Sequence, residues 1–115
     1  MRVTFLGTSG AVPTTERNPS AVFLNRDGDR LLFDCGEGTQ RQMMRFGTGF
    51  TVDHVFVTHT HGDHVLGIPG LLQTFDFNDR EAPLAIHAPS GTRGTIEDLV
   101  SVTGDAPDFP VRATQ

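Results

Sequence analysis

Four side chains that could bind a metal ion lie close together in the stretch HTHGDH, which begins at His59. In an extended chain, residues two apart point to the same side, so His59 and His61 can converge on one ion. Gly62 permits backbone angles that other residues reach only at a cost, and a turn there would direct Asp63 and His64 toward a second ion. The spacing therefore predicts a metal site with two half-sites.

The ligand types indicate which metal would bind. Imidazole nitrogens together with a carboxylate oxygen are the ligands expected for Zn²⁺ or a similar first-row metal. Cys35 is the only thiol in the sequence, so neither a Cys-rich structural zinc site nor an intramolecular disulfide framework is expected. A single histidine is more often merely solvated, but four candidate ligands after an apolar strand favour a functional metal site.

The elements that must position these residues are an alternation of strands and helices. We expect strands at 2–6, 21–24, 31–33, 54–57 and 84–87. We expect one helix that ends at 45 and two further helices, at about 63–75 and at 91–102. Asp27-Gly28 predicts the turn between the second and third strands. Pro69 and Gly70 predict an irregular second helix. The alternation predicts an α/β fold, and no element is predicted after residue 104.

A long loop, GTSGAVPTTERNPS at 7–20, separates the first two strands. It is rich in Gly, Pro, Ser and Thr and has no helical periodicity. Loops longer than about 12 residues inside a compact domain are usually functional or disordered. This loop is therefore a candidate substrate-contacting element.

Composition bounds the class of protein. A length of 115 residues with 37% hydrophobic residues predicts one folded domain. All nine basic residues are Arg, ten of the fourteen acids are Asp, and the net charge is −5, a balance typical of high-GC or salt-adapted organisms, although a short sequence can reach it by chance. This acidity argues mildly against nucleic-acid binding, which normally uses clustered Lys and Arg. No signal-peptide pattern or membrane-length apolar run is found, which predicts a cytoplasmic location.

Three stretches of the sequence resemble one known family: FLGTSGAVPTTERNPSA, FDCGEGTQRQM and VFVTHTHGDHVLGIPGLL. HTHGDH matches the HxHxDH signature of the metallo-β-lactamase superfamily. The GEGTQ and GDHxxGxPGLL contexts narrow the resemblance to ribonuclease Z, a transfer-RNA (tRNA) 3′-processing endonuclease, rather than a lactamase, glyoxalase or lactonase. The resemblance implies an αββα sandwich with two metals at the edge of its paired sheets.

The same resemblance implies roles for the motif residues. His59 and His61 would bind one Zn²⁺, and Asp63 and His64 would bind the other. Asp63 would also accept a proton during hydrolysis. Two cations lower the pKa of water held between them and bind the scissile phosphate, so the expected reaction is phosphodiester hydrolysis of precursor tRNA that leaves a tRNA 3′-hydroxyl.

Two further residues are candidates for supporting roles. Asp34 follows the third strand, where the superfamily holds an acidic residue that is hydrogen-bonded into the metal site; a turn-capping role is the alternative. Arg17 lies in PTTERN, which resembles the family's PxKxRN segment near the substrate. Thr15 replaces the Lys of that pattern, which leaves the role of Arg17 in substrate recognition open beside an ordinary surface position.

Other polar residues are expected to be structural. His54 and His87 lie on strands, and we expect neither to bind the metal. Cys35 is expected to be a small buried residue. For Glu37, Thr39 and Gln40, a structural role at the start of a helix and a role shared with the family remain equally open.

The predicted site is incomplete within this sequence. By the resemblance, a further His, a bridging Asp and another His would be required, together with a tRNA-binding arm, and none is recognisable up to Gln115. Residues 1–115 are therefore expected to form the N-terminal part of a metallo-β-lactamase-like domain, inactive alone, whose C-terminal half is absent. Family members commonly form homodimers. The alternatives are another hydrolase of the superfamily, such as an arylsulfatase or ester hydrolase, and a non-catalytic metal-binding module.

Overall fold

The computed structural model describes residues 1–9, 18–104 and 106–115, which form a mixed sheet and four helices. The sheet has the strand order β1-β2-β3-β4-β5-β6. The strands are β1 (Arg2–Gly7), β2 (Ala21–Arg26), β3 (Asp29–Phe33), β4 (His54–Phe56), β5 (Leu84–His87) and β6 (Val111–Thr114). The helices are α1 (Thr39–Arg45), α2 (Gly62–Val65), α3 (Ile68–Phe77) and α4 (Arg93–Val100).

β2 pairs antiparallel with both β1 and β3, whereas β3, β4, β5 and β6 pair in parallel. Asp27 and Gly28 form the predicted turn between β2 and β3, with φ angles of 51° and 96°. Two successive positive φ angles suit the twist of a two-residue hairpin. The side chain of Asn25 supports the turn by accepting a hydrogen bond from the Gly28 N–H at 3.1 Å.

One face of the sheet and the helices form the hydrophobic core. Leu32, Val55 and Ile86 lie on neighbouring strands and are almost fully buried. The helices add a second group of buried side chains to the same cluster: Met43, Val65, Ile68, Leu71, Leu72, Phe75 and Ile96. The alternation along each strand therefore directs one set of side chains toward α1 to α4.

The opposite face of the sheet carries two rows of side chains, which we call the open face. One row is Phe5, Val22, Phe33, Phe56, His87 and Thr114, and the other is Val3, Leu24, Leu31, His54, Ala85 and Arg112. Phe5 is 64% exposed, and the Phe33, Phe56 and Leu31 side chains are only partly buried. A sheet with helices on one side therefore leaves a largely apolar surface on the other, with polar side chains toward β6.

The region predicted as one irregular helix from about 63 to 75 is two helices. α2 ends at Val65, and α3 begins at Ile68, with Pro69 in its first turn. Proline is favoured in the first turn of a helix because its missing N–H has no helical partner there. The prediction of irregularity was correct, but the prediction of a continuous helix was wrong.

β6 was not predicted. VRAT has only two apolar residues and follows a Pro-rich segment, so its local pattern is weak. It becomes a strand because β5 offers a parallel partner, with Leu84 opposite Val111 and His87 opposite Thr114. No helix of the described residues is long and apolar enough to cross a membrane.

His54 and His87 contact each other on the open face. His54 Nδ1 lies 3.0 Å from His87 Nε2, and His87 Nδ1 lies 2.8 Å from the Thr114 hydroxyl. The His87 ring also stacks on Phe56, with ring centroids 4.6 Å apart. Both histidines therefore have contacts within the sheet.

We predict that the His54–His87 contact makes stability depend on pH. Burial, and then the nearby His54, lower the pKa of His87 below its ordinary value of 6.5. A lowered folded-state pKa means that the unfolded chain binds the proton more readily, so the stability present above pH 6.5 falls as the pH drops through the folded-state pKa. Replacing His87 by Gln should make the urea-measured unfolding free energy decline less steeply below that pH.

His54→Gln tests the second cause separately. It removes the repulsion from His54 and should give an intermediate slope. Identical slopes for the wild type and both variants would contradict this explanation.

Candidate metal centre

The turn that carries HTHGDH lies between β4 and α3. His61 has an extended backbone, with φ −61° and ψ 148°, and Gly62 begins α2. The His64 N–H donates to the His61 carbonyl at 2.9 Å, which closes the turn. The chain therefore changes from extended to helical between the first two candidate ligands and the last two.

Three of the four candidate ligands lie together. One ligand atom each from His59, Asp63 and His64 lies within 4.8 Å of the others. His64 Nε2 is 3.2 Å from Asp63 Oδ2, and the His59 and His64 ring centroids are 3.7 Å apart. Two imidazoles and a carboxylate at this spacing fit the donor set of a zinc ion. Among the described residues, no other group of three or more His, Cys, Asp or Glu side chains lies close enough together to hold a metal.

His61 lies beside this group, with its ring edge-on to His59 and the centroids 4.8 Å apart. It is exposed, and it does not belong to the three-residue group. The distances thus bring together His59, Asp63 and His64, whereas the sequence predicted the pairs His59 with His61 and Asp63 with His64. The division of ligands between two ions stays a prediction.

Asp34 connects the end of β3 to this turn. It is 6% exposed and has a φ of 62°, in the left-handed region that Asp adopts more readily than most residues. Its carboxylate accepts hydrogen bonds from the Thr58 N–H at 2.8 Å and from the Thr58 hydroxyl at 2.9 Å. His64 Nδ1 lies 2.9 Å from Asp34 Oδ2. A donor at Nδ1 leaves Nε2 of His64 available to a metal.

Sequence reasoning missed Thr58. It immediately precedes the first histidine, and its hydroxyl lies within 3.3 Å of Asp34, His59 and His64. The strand register could have identified it, because β3 and β4 are parallel with Phe33 opposite Phe56. The residues after those two strands must therefore meet at the same edge of the sheet.

Close backbone contacts hold the loop after β3 against the turn. The Cys35 N–H donates to the His64 carbonyl, and the Gly67 N–H donates to the Cys35 carbonyl, both at 2.8 Å. A β-carbon on Gly67 would lie 2.1 Å from the Gly36 carbonyl oxygen, and one on Gly36 would lie 2.5 Å from that of Asp63. Glycine at both positions therefore permits the approach that places Asp63 and His64.

Cys35 is fully buried, as expected. The pKa of its thiol is raised to about 12, chiefly by burial; a hydrogen bond with Thr39 opposes this rise, and the nearby Asp34 charge adds a smaller increase. Metals bind the thiolate form, which is disfavoured here near neutral pH. Cys35 does not belong to the three-residue group, whose donors are nitrogen and oxygen atoms.

The remaining candidates lie in different places. Arg17 lies outside the described residues. Thr39 is buried at the start of α1 and donates to the Gly36 carbonyl at 2.7 Å, while Gln40 accepts a hydrogen bond from Thr74. Glu37 is exposed. The contacts of Thr39 and Gln40 favour the structural alternative for both.

A cavity of about 670 Å³ lies between α4 and β6 and is lined by Arg93, Glu97, Arg112 and their neighbours. None of the candidate metal ligands lines it. The turn is the better candidate site, because three potential metal ligands converge there and none of them lines this cavity.

Comparisons with known proteins identify a matching family and similar relatives. Residues 1–98 match the family model described as anti-Pycsar protein Apyc1. A ribonuclease Z from Haloarcula marismortui is 73% identical over all 115 residues, which correspond to 37% of that relative. The chain thus spans about two fifths or less of the length of such relatives, and the resemblance to ribonuclease Z is confirmed.

Solved structures agree on the fold. The crystal structure of the short form of human tRNase Z is 40% identical, with a TM-score of 0.85 over 96% of this chain and 42% of that one. YhfI from Bacillus subtilis, a metallo-β-lactamase fold protein, is 21% identical, with a TM-score of 0.79 over 98% of this chain and 45% of that one. The predicted metallo-β-lactamase-type fold, present here in part, is confirmed.

We predict that Gly67→Ala destabilises the protein by roughly 1–3 kcal/mol, the usual cost of overpacking, because its β-carbon would meet the Gly36 carbonyl. Urea unfolding measures this loss. Gly94→Ala in α4 is the matched control, since no described atom outside its chain neighbours and the nearby helix backbone lies within 4 Å of the added carbon. The control should be neutral or stabilising by up to about 1 kcal/mol. Equal effects of the two substitutions would refute the close-contact explanation.

Proposed function

This chain belongs to the family described as anti-Pycsar protein Apyc1, and within its metallo-β-lactamase fold we propose that it forms part of a zinc-dependent endoribonuclease of the ribonuclease Z type. The proposed substrate is precursor tRNA. The proposed reaction is hydrolysis of the phosphodiester 3′ of the discriminator region, which leaves a tRNA 3′-hydroxyl. The convergence of His59, Asp63 and His64 carries this proposal, because it supplies metal-binding donors at one edge of the sheet.

The support for this substrate comes from similar proteins. Relatives named ribonuclease Z reach 73% identity over the whole chain, and a tRNase Z structure superimposes over 96% of it. Because the chain spans only 37% of the first relative, the activity is proposed for a protein that carries additional chain. Residues 1–115 are proposed to be the N-terminal part of that domain and to be inactive alone.

The metal-holding residues are proposed to be His59, His61, Asp63 and His64, with further ligands from additional chain. Two Zn²⁺ ions, when bound, would supply Lewis acidity that makes water acidic near neutral pH and stabilises charge on the phosphate. The half-buried positions of Asp63 and His64 suit this task, since partial burial strengthens their interaction with a cation.

Asp63 is proposed to move the proton. Its carboxylate would accept a proton from the attacking water and return it to the 3′-oxygen of the tRNA, which leaves the phosphorus as the 3′-hydroxyl forms. Asp34, through its contact with His64 Nδ1 at 2.9 Å, is proposed to orient that imidazole for binding. Arg17 is proposed as a substrate contact, by its place in the PTTERN segment. A cytoplasmic location and a homodimer complete the proposal.

Two alternatives differ in measurable ways. Another hydrolase of the superfamily, such as an arylsulfatase or ester hydrolase, would cleave a sulfate ester or a carboxylic ester and leave precursor tRNA intact. A non-catalytic module would bind stoichiometric zinc without turning over any of these substrates. Parallel assays of the three substrate classes therefore distinguish all the possibilities.

We predict that Asp63→Asn lowers cleavage of precursor tRNA by at least about a hundredfold, because positioned proton transfer commonly contributes this much. The measurement uses a protein that contains these 115 residues and matches its relatives in length. Gel analysis of single-turnover cleavage gives the rate, and circular dichroism checks the fold.

Asp98→Asn is the control for this substitution. It changes another carboxylate, exposed on α4 and outside the metal cluster, and should leave the rate unchanged. Near-normal turnover by the Asp63→Asn variant would show that Asp63 does not have the proposed role.

A further inference from the structure

Thr58 has more polar contacts around the metal centre than its single hydroxyl proton can serve. Its Oγ1 lies 2.9 Å from Asp34 Oδ2, 3.2 Å from His59 Nδ1 and 3.3 Å from His64 Nδ1. A hydroxyl has one proton to donate and two lone pairs that accept. Thr58 can therefore donate to only one of these three partners and must accept from, or merely lie beside, the others.

The carboxylate determines where the hydroxyl proton goes. In its ionised form, Asp34 only accepts hydrogen bonds, and it already holds the Thr58 backbone through the N–H at 2.8 Å. Hydrogen bonds to an ionised acceptor are stronger than neutral ones, so the Thr58 proton is donated to Asp34 rather than to an imidazole. The lone pairs of Thr58 Oγ1 are then left to accept.

The Nδ1 atoms of His59 and His64 lie beside different hydrogen-bond acceptors. His64 Nδ1 is nearer to Asp34 Oδ2, at 2.9 Å, than to Thr58, so its N–H is donated to the carboxylate. His59 Nδ1 is 3.2 Å from Thr58 Oγ1, whose lone pairs are available. An Nδ1–H on His59 would therefore be donated to Thr58. This tautomer leaves Nε2 of His59 unprotonated, as a metal ligand must be.

We propose that Thr58 is a positioning residue that extends the influence of Asp34 to His59, by holding His59 in the tautomer with a free Nε2. Asp34 sets the tautomer of His64 directly, and Thr58 sets that of His59 through its hydroxyl. One buried carboxylate would thus prepare two imidazoles for metal binding. This inference rests on the proposed function of the cluster as a metal centre.

The test uses a protein that contains these 115 residues and matches its relatives in length. It compares Thr58→Val, which keeps the shape and loses the hydroxyl, with Thr58→Ser, which keeps the hydroxyl. NMR of protein with isotopically labelled histidine reports the tautomer of each ring without metal. In the wild type and Thr58→Ser, His59 should carry its proton on Nδ1, and in Thr58→Val it should shift toward Nε2. Zinc affinity should fall by about tenfold or more in Thr58→Val and be restored in Thr58→Ser.

Two further variants keep the test decisive. Thr60→Val makes the same change at a threonine outside the Asp34 network and should alter neither the His59 tautomer nor zinc affinity. Thr58→Ala replaces Thr58→Val if the valine variant does not fold, as judged by circular dichroism, and should have the same effects.

The outcomes separate this inference from the function on which it rests. An unchanged His59 tautomer in Thr58→Val, or a failure of Thr58→Ser to restore the wild-type tautomer, overturns the inference even if zinc binds normally. Loss of zinc binding by the wild type contradicts the proposed function, while the tautomer measurement still decides the role of Thr58.

Discussion

The structure of the candidate site depends on one buried carboxylate. Asp34 follows β3 in a left-handed conformation and accepts hydrogen bonds from the backbone and hydroxyl of Thr58, and its Oδ2 lies beside His64 Nδ1. A buried charge without such partners would cost several kcal/mol, so these contacts strongly favour one arrangement of the turn. The parallel pairing of β3 and β4 brings the two strand ends together, and Asp34 fixes how the chain continues from them.

Much of the local structure was predictable because its causes are local. The hairpin at Asp27 and Gly28 and the five strands with clear apolar patterns follow from short-range turn chemistry and alternation. β6 was missed because its stability comes from pairing with β5, more than 20 residues earlier in the chain. Between α2 and α3, the Gly67 N–H is donated to the Cys35 carbonyl, a long-range contact that no helical pattern contains.

The candidate site was predictable in composition and less so in arrangement. The spacing of HTHGDH identified the donors, and the convergence of His59, Asp63 and His64 needed the turn at Gly62 and the contacts of Cys35 and Gly67. Thr58 carries no signal of its own and becomes important only beside Asp34.

X-ray absorption spectroscopy of a zinc-loaded protein that contains these 115 residues and matches its relatives in length tests most directly whether this turn is a metal centre. We expect zinc bound by nitrogen and oxygen at about 2.0–2.1 Å, with imidazole scattering and no sulfur, because Cys35 is not among the three convergent donors. A zinc–sulfur distance near 2.3 Å, or zinc lost on simple desalting, would contradict it.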